Sequence, residues 1–146
     1  RGQDTRETFT SHLHYAFCKQ NVVTYIDDVL VKGDDIGSAL DQAIHESRIS
    51  VIVFSKNYAT SKWCLNELLK ILECRKNNGQ VVIPVFYNTD PSDVRKQTGS
   101  YREAFAKYEG EAINNESFAN TVFKWRTALA EAANIPGWDS QSRTYK

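Results

Sequence analysis

The sequence has few of the residues that would indicate a disulfide scaffold or a metal site. Its three cysteines (Cys18, Cys64 and Cys74) include no Cys-x-x-Cys pair, and its three histidines are scattered. An odd number of separated thiols favours reduced cysteines in a cytosolic compartment. Cys64 and Cys74 also lack a spacing typical of metal ligands, so we expect no metal site.

Long hydrophobic runs and an excess of one charge are also absent. No stretch approaches the roughly 18 apolar residues of a membrane helix, and no secretory signal is visible, so we expect no membrane association. The 18 basic and 18 acidic residues give a formal net charge of zero. This balance argues against bulk electrostatic binding to nucleic acid, although a local basic patch remains compatible with it.

Several motifs of common α/β enzymes are missing. The sequence has no G-x-G-x-x-G dinucleotide fingerprint, no Walker A sequence and no G-x-S-x-G nucleophile elbow. Asp27 and Asp28 could imitate the acidic pair of a response regulator. No further strand end supplies the acid and the lysine that such a site also needs. The sequence therefore supports neither a Rossmann site, a P-loop, a triad hydrolase nor a phospho-accepting domain.

The hydrophobic pattern predicts alternating helices and strands. Such alternation is typical of a parallel sheet with right-handed crossovers and helices on both faces. Because Pro84 cannot donate a backbone hydrogen bond, we expect its strand to lie at a sheet edge or a bulge. Residues 110–116 are expected to be loose. The predicted segments are helix 5–20, strand 22–26, helix 38–47, strand 49–54, a helix from 62 to about 78, strand 81–87, helix 100–108 and helix 118–133.

Residues 49–74 carry the most informative pattern. A short apolar strand is followed by Ser61, a good N-cap, and by a helix that Gly79 ends as a left-handed C-cap. Trp63 and Glu67 lie four residues apart, on the side away from a leucine stripe that should pack on the sheet. The start of a helix after a parallel strand is a usual place for ligand binding. Spacing alone favours the alternative, in which Glu67 is a solvated acid and Trp63 packs under a loop. The stripe consists of Leu65, Leu68, Leu69 and Leu72.

The first six residues form a polar loop that runs into the first helix. The N–H groups of a helix N-terminus suit an anion such as phosphate, although an ordinary polar helix start would have a similar composition. In a doubly wound fold a strand would precede this loop. We therefore expect a first strand that is missing or lies before residue 1.

Several longer stretches resemble the TIR (Toll/interleukin receptor) domain of plant intracellular immune receptors. The resemblance covers nearly the whole chain and implies a flavodoxin-like three-layer fold, with a central parallel sheet of about five strands flanked by helices. It places the TIR domain at 1–138 and a tail or linker at 139–146, and it leaves the fifth strand unassigned. The matching stretches are RGQDTR at 1–6, FTSHL at 9–13, the acidic loop at 27–36, ESRISVIVFSKNYATSKWCLNEL at 46–68, QVVIPVFYNTDPSDVRKQTGS at 80–100 and KWRTALAEAANIPGW at 124–138.

The resemblance also implies an activity. Plant TIR domains of this type hydrolyse NAD⁺ or NADP⁺ at the nicotinamide–ribose bond when they self-associate, and the products are nucleotide signals for immune defence and cell death. NAD⁺ or NADP⁺ is then the substrate, and no cofactor is permanently bound. The family's catalytic glutamate falls on Glu67, where it would stabilise an oxocarbenium-like ribose or hold a ribose hydroxyl. The implied location is the cytoplasm, with the nucleus left open.

Residues of the substrate pocket are implied in the same way. The loop at 1–6 matches the family's R-G-x-D-T-R motif, in which an arginine would meet phosphate and Gly2 would let backbone approach closely. Asp34 stands where the family usually has glutamate, in a mobile loop that gates the pocket and makes head-to-tail contacts. Gln3 replaces a frequent glutamate. The residues implied in substrate binding are Arg1, Gly2, Asp4, Thr5, Arg6, Asp34 and Trp63.

Two self-association surfaces follow from the resemblance. Ser11 and His12 match a Ser-His pair used in a symmetric contact between two copies, although spacing alone favours a surface serine and a half-buried ring. A second surface runs from Asp93 to Gly99, where the small Gly99 would permit close packing. The implied partners are the chain itself and other TIR domains.

Two other functions remain open. One is a scaffold that recruits TIR domains without turnover. The other is a nuclease or cyclic-nucleotide synthetase that acts on nucleic acid, in which a cysteine at the position of Cys64 is implicated. The zero net charge weakens this second alternative. Cys64 could equally be a small packing residue in the first turn of its helix.

Overall fold

The computed structural model describes residues 9–20 and 38–142. The predicted strand at 22–26, the acidic loop at 27–36, the start of the first helix and the end of the tail lie outside these residues. The described elements are α1 (Ser11–Lys19), α2 (Ser38–Glu46), β1 (Ile49–Phe54), a 3₁₀ turn (Tyr58–Thr60), α3 (Lys62–Asn78), β2 (Val81–Phe86), α4 (Pro91–Lys96), α5 (Ser100–Ala112), α6 (Glu116–Ala133) and β3 (Trp138–Asp139).

The described strands form a parallel sheet in the order β1-β2-β3. Strands β1 and β2 pair along their whole length, from Ile49 opposite Val81 to Phe54 opposite Phe86. The last three residues of β1 are buried although successive side chains point to opposite faces, so both faces of the sheet are covered there. A parallel sheet flanked by helices confirms the predicted α/β class.

The prediction that Pro84 puts its strand at a sheet edge or a bulge is wrong. The register with β1 runs without an extra residue through Ile52 opposite Pro84. Strand β2 lies between β1 and β3, and its pairing with β3 begins one residue after Pro84, at Val85 opposite Trp138. A proline costs a sheet only the hydrogen bond that its own N–H would make. Because β3 pairs with β2 only beyond Pro84, the missing donor is tolerated.

The short strand β3 was not predicted. It takes in Trp138 and Asp139, so the predicted boundary between domain and tail falls inside it. Backbone pairing continues past it, because the N–H of Ser140 donates to the carbonyl of Phe86 at 2.9 Å. A strand of two residues has no measurable period, and for this reason the sequence pattern could not reveal it.

Helix α3 begins and ends as predicted. The hydroxyl oxygen of Ser61 accepts the N–H of Cys64 at 3.1 Å, and Gly79 closes the helix in the left-handed conformation, with φ 66° and ψ 25°. The leucine stripe packs inward: Leu65 and Leu68 are fully buried, Leu72 is buried, and Leu69 is half-buried.

The last two long helices complete the described core. Helix α5 runs through Ala112, so residues 110–112 are helical and not loose as predicted. Packing of α5 against α6 extends the helix over Gly110, which by itself weakens helices only modestly. Helix α6 buries Trp125, whose indole N–H donates to Asn66 of α3 at 3.0 Å. Among the described helices, none combines the length and the apolar character needed to cross a bilayer.

Candidate functional site

The segment between β1 and α3 is held by buried hydroxyl groups. It starts at Ser55, which is 1% exposed, and it includes Ala59, which is fully buried. Buried carbonyl groups need donors, and here tyrosines supply them. The hydroxyl of Tyr58 donates to the carbonyl of Cys64 at 3.0 Å, that of Tyr101 to Ser55 at 2.8 Å and that of Tyr108 to Ala59 at 2.7 Å. The backbone that leads into α3 is therefore fixed from within the segment and from α5.

Burial shifts the pKa of one of these three tyrosine hydroxyls. It raises the pKa of Tyr108 from 10.0 to about 12, with smaller contributions from Glu111 and Cys64. The phenolate would lie among apolar neighbours and could no longer donate to the carbonyl of Ala59. The neutral hydroxyl is thus the form that the fold requires.

Glu67 lies in the second turn of α3, shortly after the carboxyl end of β1. The side chain is half-buried, and its oxygen Oε2 is buried. Trp63, one turn earlier, is only 7% exposed and belongs to the hydrophobic core. The expectation that Trp63 faces away from the core is therefore wrong, whereas Glu67 is not part of the core. Because α2, β2, α6 and the 3₁₀ turn all pack on α3, its buried arc is wider than the leucine stripe.

The exposed part of Trp63 faces a cleft between the start of α3 and helix α5. The cleft has a volume of about 620 Å³, and its charged lining residues carry both signs. Lys62 on its rim pairs with Glu111 at 3.2 Å. Glu67 is not among the residues that line this cleft. The cleft is thus not a cavity around the predicted catalytic carboxylate.

Most residues of the predicted substrate pocket lie outside the part of the chain that the structure describes. Of the residues implied in catalysis and substrate binding, the structure describes Glu67 and Trp63, which lie on consecutive turns of α3. The remaining ones lie outside the described residues, and their roles stay predictions. They are Arg1, Gly2, Asp4, Thr5, Arg6 and Asp34.

The first predicted association surface is accessible. Ser11 and His12 are both exposed on α1, so the alternative of a half-buried histidine ring is wrong. Tyr15, one turn further along the helix, is 68% exposed. Ala16 is exposed as well. Within the described part of the chain, Ser11, His12 and Tyr15 are therefore exposed on α1.

The second predicted surface contains a glycine, Gly99, that the fold of the chain itself requires, apart from any contact with a partner. Gly99 has φ 56° and ψ −130°, a conformation that is strained for other residues. A Cβ atom there would lie 2.5 Å from Oδ2 of Asp93. Asp93 in turn accepts hydrogen bonds from Thr98, through the hydroxyl at 2.8 Å and through the backbone N–H at 3.0 Å. We call residues 93–99 the association turn.

A network of side-chain hydrogen bonds stabilises the association turn. The sequence did not indicate this network. The backbone of Gln97 is in the left-handed conformation, with φ 51°. Its side-chain amide donates to the carbonyls of Val94 and Arg95 at 3.0 and 2.9 Å. Its carbonyl accepts from Arg126 at 3.2 Å. Arg126 also pairs with Glu109 at 2.9 Å. The C-cap residue of α4 thus meets polar side chains of α5 and α6, and no local sequence pattern could have predicted this contact.

The two cysteines of α3 are both buried. Cys64 is 3% exposed, which fits the alternative of a packing residue in the first helical turn. Cys74 is 1% exposed, with Sγ 3.7 Å from Nδ1 of His45. Burial raises the pKa of the Cys74 thiol, and Lys70 opposes this shift. Within the described residues no group of three potential metal ligands occurs.

Comparison with known proteins agrees with this architecture. Residues 1–146 match the TIR domain family. The chain is similar to the disease resistance proteins RPV1 and RUN1 of Vitis rotundifolia, with 54% and 51% identity over 94% and 97% of its length. It is also similar to TMV resistance protein N of Nicotiana glutinosa, with 45% identity over 99% of its length. It spans only 9%, 10% and 12% of these relatives.

A solved structure shares the fold. The TIR domains in a structure of the activated Roq1 resistosome, which directly recognises the pathogen effector XopQ, superpose with a TM-score of 0.88. The identity is 47%, and the match covers 98% of this chain and 85% of the other. Together with the family match over the whole sequence, this likeness shows that the chain belongs to the TIR domain family of plant disease resistance proteins.

Proposed function

We propose that this TIR domain hydrolyses NAD⁺ or NADP⁺ at the nicotinamide–ribose bond when it self-associates, with Glu67 as the catalytic residue. The observation that carries the proposal is the place of Glu67. Its carboxylate lies in the second turn of the helix that follows β1, with one oxygen buried. Ligands of open parallel sheets bind at this edge, beyond the carboxyl ends of the strands.

The chemistry suits a buried carboxylate. The bond between C1′ of the ribose and the nicotinamide nitrogen breaks, and its electron pair leaves with neutral nicotinamide. The ribose then carries developing positive charge, and water adds to C1′ and releases a proton, which gives ADP-ribose or its 2′-phosphorylated form. A fixed negative group stabilises that charge more strongly where water is excluded. The carboxylate of Glu67 would act on the charge or on a ribose hydroxyl.

The segment ahead of α3 supports the proposal through its rigidity. Electrostatic catalysis requires a group that is already in place, so that little free energy is lost in reorganisation. Three buried tyrosine hydroxyls fix the backbone that leads to Trp63 and Glu67. The implied phosphate contacts of Arg1 or Arg6 and the gating role of Asp34 belong to the same proposal.

Self-association is the second half of the proposal. Ser11 and His12 are exposed on α1, and the association turn reaches the surface at Gly99. The similar TIR domains were seen in an activated resistosome of Roq1. We infer that this chain likewise assembles with itself or with other TIR domains, in the cytoplasm. The cysteine-linked nuclease alternative gains no support, because Cys64 is buried.

Consumption of NAD⁺ at high protein concentration, with a crowding agent, tests the catalytic assignment. We expect the parent chain to consume NAD⁺ and Glu67→Gln to lose about 100-fold or more of the rate, as for other preorganised electrostatic groups. Glu73→Gln is the matched control, since Glu73 is an exposed acid further along α3. A folded Glu67→Gln variant with unchanged turnover contradicts the role of Glu67.

Sedimentation of the same proteins tests the assembly. His12→Ala should reduce concentration-dependent association and, with it, NAD⁺ loss. If the parent chain assembles but does not consume NAD⁺, the domain is a scaffold and the hydrolase proposal fails. If His12→Ala associates as the parent does, His12 lies outside the contact.

A further inference from the structure

A continuous line of hydrogen bonds joins the association turn to the segment ahead of α3. Asp93 holds Thr98 through two hydrogen bonds, to the hydroxyl and to the backbone N–H. The carbonyl of Thr98 accepts the backbone N–H of Tyr101 at 3.0 Å. The hydroxyl of Tyr101 then donates to the carbonyl of Ser55 at 2.8 Å. Each step is a direct contact, and the line ends where the chain leaves β1.

Tyr101 is placed to hold this connection firmly. Its side chain is completely buried, and it lies only two residues after Gly99. The carbonyl of Ser55 also accepts the N–H of Tyr58 at 3.2 Å. This hydrogen bond forms the turn that leads from β1 into the 3₁₀ turn. A shift of the Tyr101 hydroxyl would therefore displace an acceptor that shapes the path into α3.

We propose that Tyr101 is a positioning residue that couples the association turn to the segment carrying Trp63 and Glu67. This inference rests on the proposed function, and it supplies a physical link between assembly and activity. A partner that packs on the association turn restrains Asp93 and Thr98, and through Tyr101 it restrains the carbonyl of Ser55. Assembly then narrows the range of positions open to the start of α3.

Helix α5 supplies its own control residue. Tyr108 is also buried, and its hydroxyl donates to the carbonyl of Ala59 in the same segment at 2.7 Å. It lies two turns further along α5, outside the hydrogen-bonded line from the association turn. Tyr101→Phe and Tyr108→Phe each remove one oxygen atom from a buried site on the same helix. Only the first removes the connection.

Hydrogen exchange with mass spectrometry tests the coupling without relying on activity. Amide exchange in residues 55–64 is measured for dilute and for assembled protein, with assembly followed by sedimentation. We expect assembly to slow this exchange in the parent chain and in Tyr108→Phe. The Tyr101→Phe chain should still assemble. The factor by which assembly slows exchange should be about fivefold smaller than in the parent, because one neutral hydrogen bond typically changes an equilibrium by about this much.

Turnover in the same samples separates this inference from the proposed function. Tyr101→Phe should lower kcat per assembled chain with little change in KM, and Tyr108→Phe should alter kcat less. If assembly slows exchange through Tyr101 but the parent chain consumes no NAD⁺, the coupling stands and the hydrolase proposal fails. Equal slowing in Tyr101→Phe and the parent overturns the coupling, as does parent exchange that assembly leaves unchanged. A parent chain that stays monomeric at millimolar concentration overturns both.

Discussion

Replacement of Gly99 by alanine should weaken the fold of the isolated chain, before any partner is considered. The added Cβ atom would lie 2.5 Å from Oδ2 and 2.7 Å from Cγ of Asp93, so the carboxylate must move. A side chain at φ 56° and ψ −130° also strains the backbone. We take about 1–3 kcal/mol for the backbone and about 1 kcal/mol for the weakened Asp93–Thr98 hydrogen bond. The free energy of unfolding should fall by about 2–4 kcal/mol.

Two other glycines provide matched controls for the same substitution. Gly79 has φ 66° but open space where an added methyl group would lie, so Gly79→Ala should cost only about 1 kcal/mol. Gly110 lies within α5 with open space and ordinary helical geometry. Gly110→Ala should therefore raise the free energy of unfolding by about 0.5 kcal/mol.

Urea unfolding of dilute, monomeric protein measures all three variants on one scale. The expected order of stability is Gly110→Ala, parent, Gly79→Ala and Gly99→Ala. For a domain of this size, Gly99→Ala should also lower Tm by about 6–12 °C. If Gly99→Ala is no less stable than Gly79→Ala, the contact with Asp93 does not set the requirement for glycine. The need for a small residue would then come from the partner surface.

Three further predictions concern stability and reactivity. Because the pKa of Tyr108 is raised to about 12, the unfolded state loses its proton first, so the free energy of unfolding should fall by about 1–2 kcal/mol between pH 10 and 12. Urea titrations of Tyr108→Phe should show a smaller fall, and an equal one would contradict the assignment. In Gly137→Ala the added Cβ atom would clash with the carbonyl of Pro84, so the free energy of unfolding should fall by about 1–3 kcal/mol. Hydrogen exchange of the Ser140 amide should become faster. Exchange as slow as in the parent would show that β3 moves to accommodate the methyl group. The Cys74 thiol has a raised pKa and is buried, so iodoacetamide should modify it slowly at pH 8 until urea unfolds the chain, and rapid native labelling would refute its burial.

Local signals were enough to define most helices and the first two described strands. Ser61 and Gly79 mark the ends of α3 because a side-chain cap and a left-handed glycine act within a few residues of the chain. Strand β1 was predicted with its observed bounds, since a short β-branched run needs no distant partner to be recognised. The family resemblance then supplied Glu67 as the candidate catalytic residue.

Features that depend on distant partners could not be read from the pattern. Strand β3 forms because its backbone pairs with β2. A segment of two residues, Trp138 and Asp139, is too short to show a hydrophobic period. The burial of Trp63 depends on the elements that surround α3, whereas a helical wheel considers only α3 itself. The role of Gly99 depends on where the side chain of Asp93 comes to lie.

The sequence by itself determined the α/β class, the helix caps, the inward leucine stripe and the family to which the chain belongs. These follow from local geometry, from apolar periodicity and from long matching motifs. The tertiary structure alone decided that Pro84 lies in an internal strand, that buried tyrosine hydroxyls hold the path into α3, and that Tyr101 joins this path to the association turn. Such contacts join residues tens of positions apart, and their formation depends on the packing of whole elements and not on any local pattern.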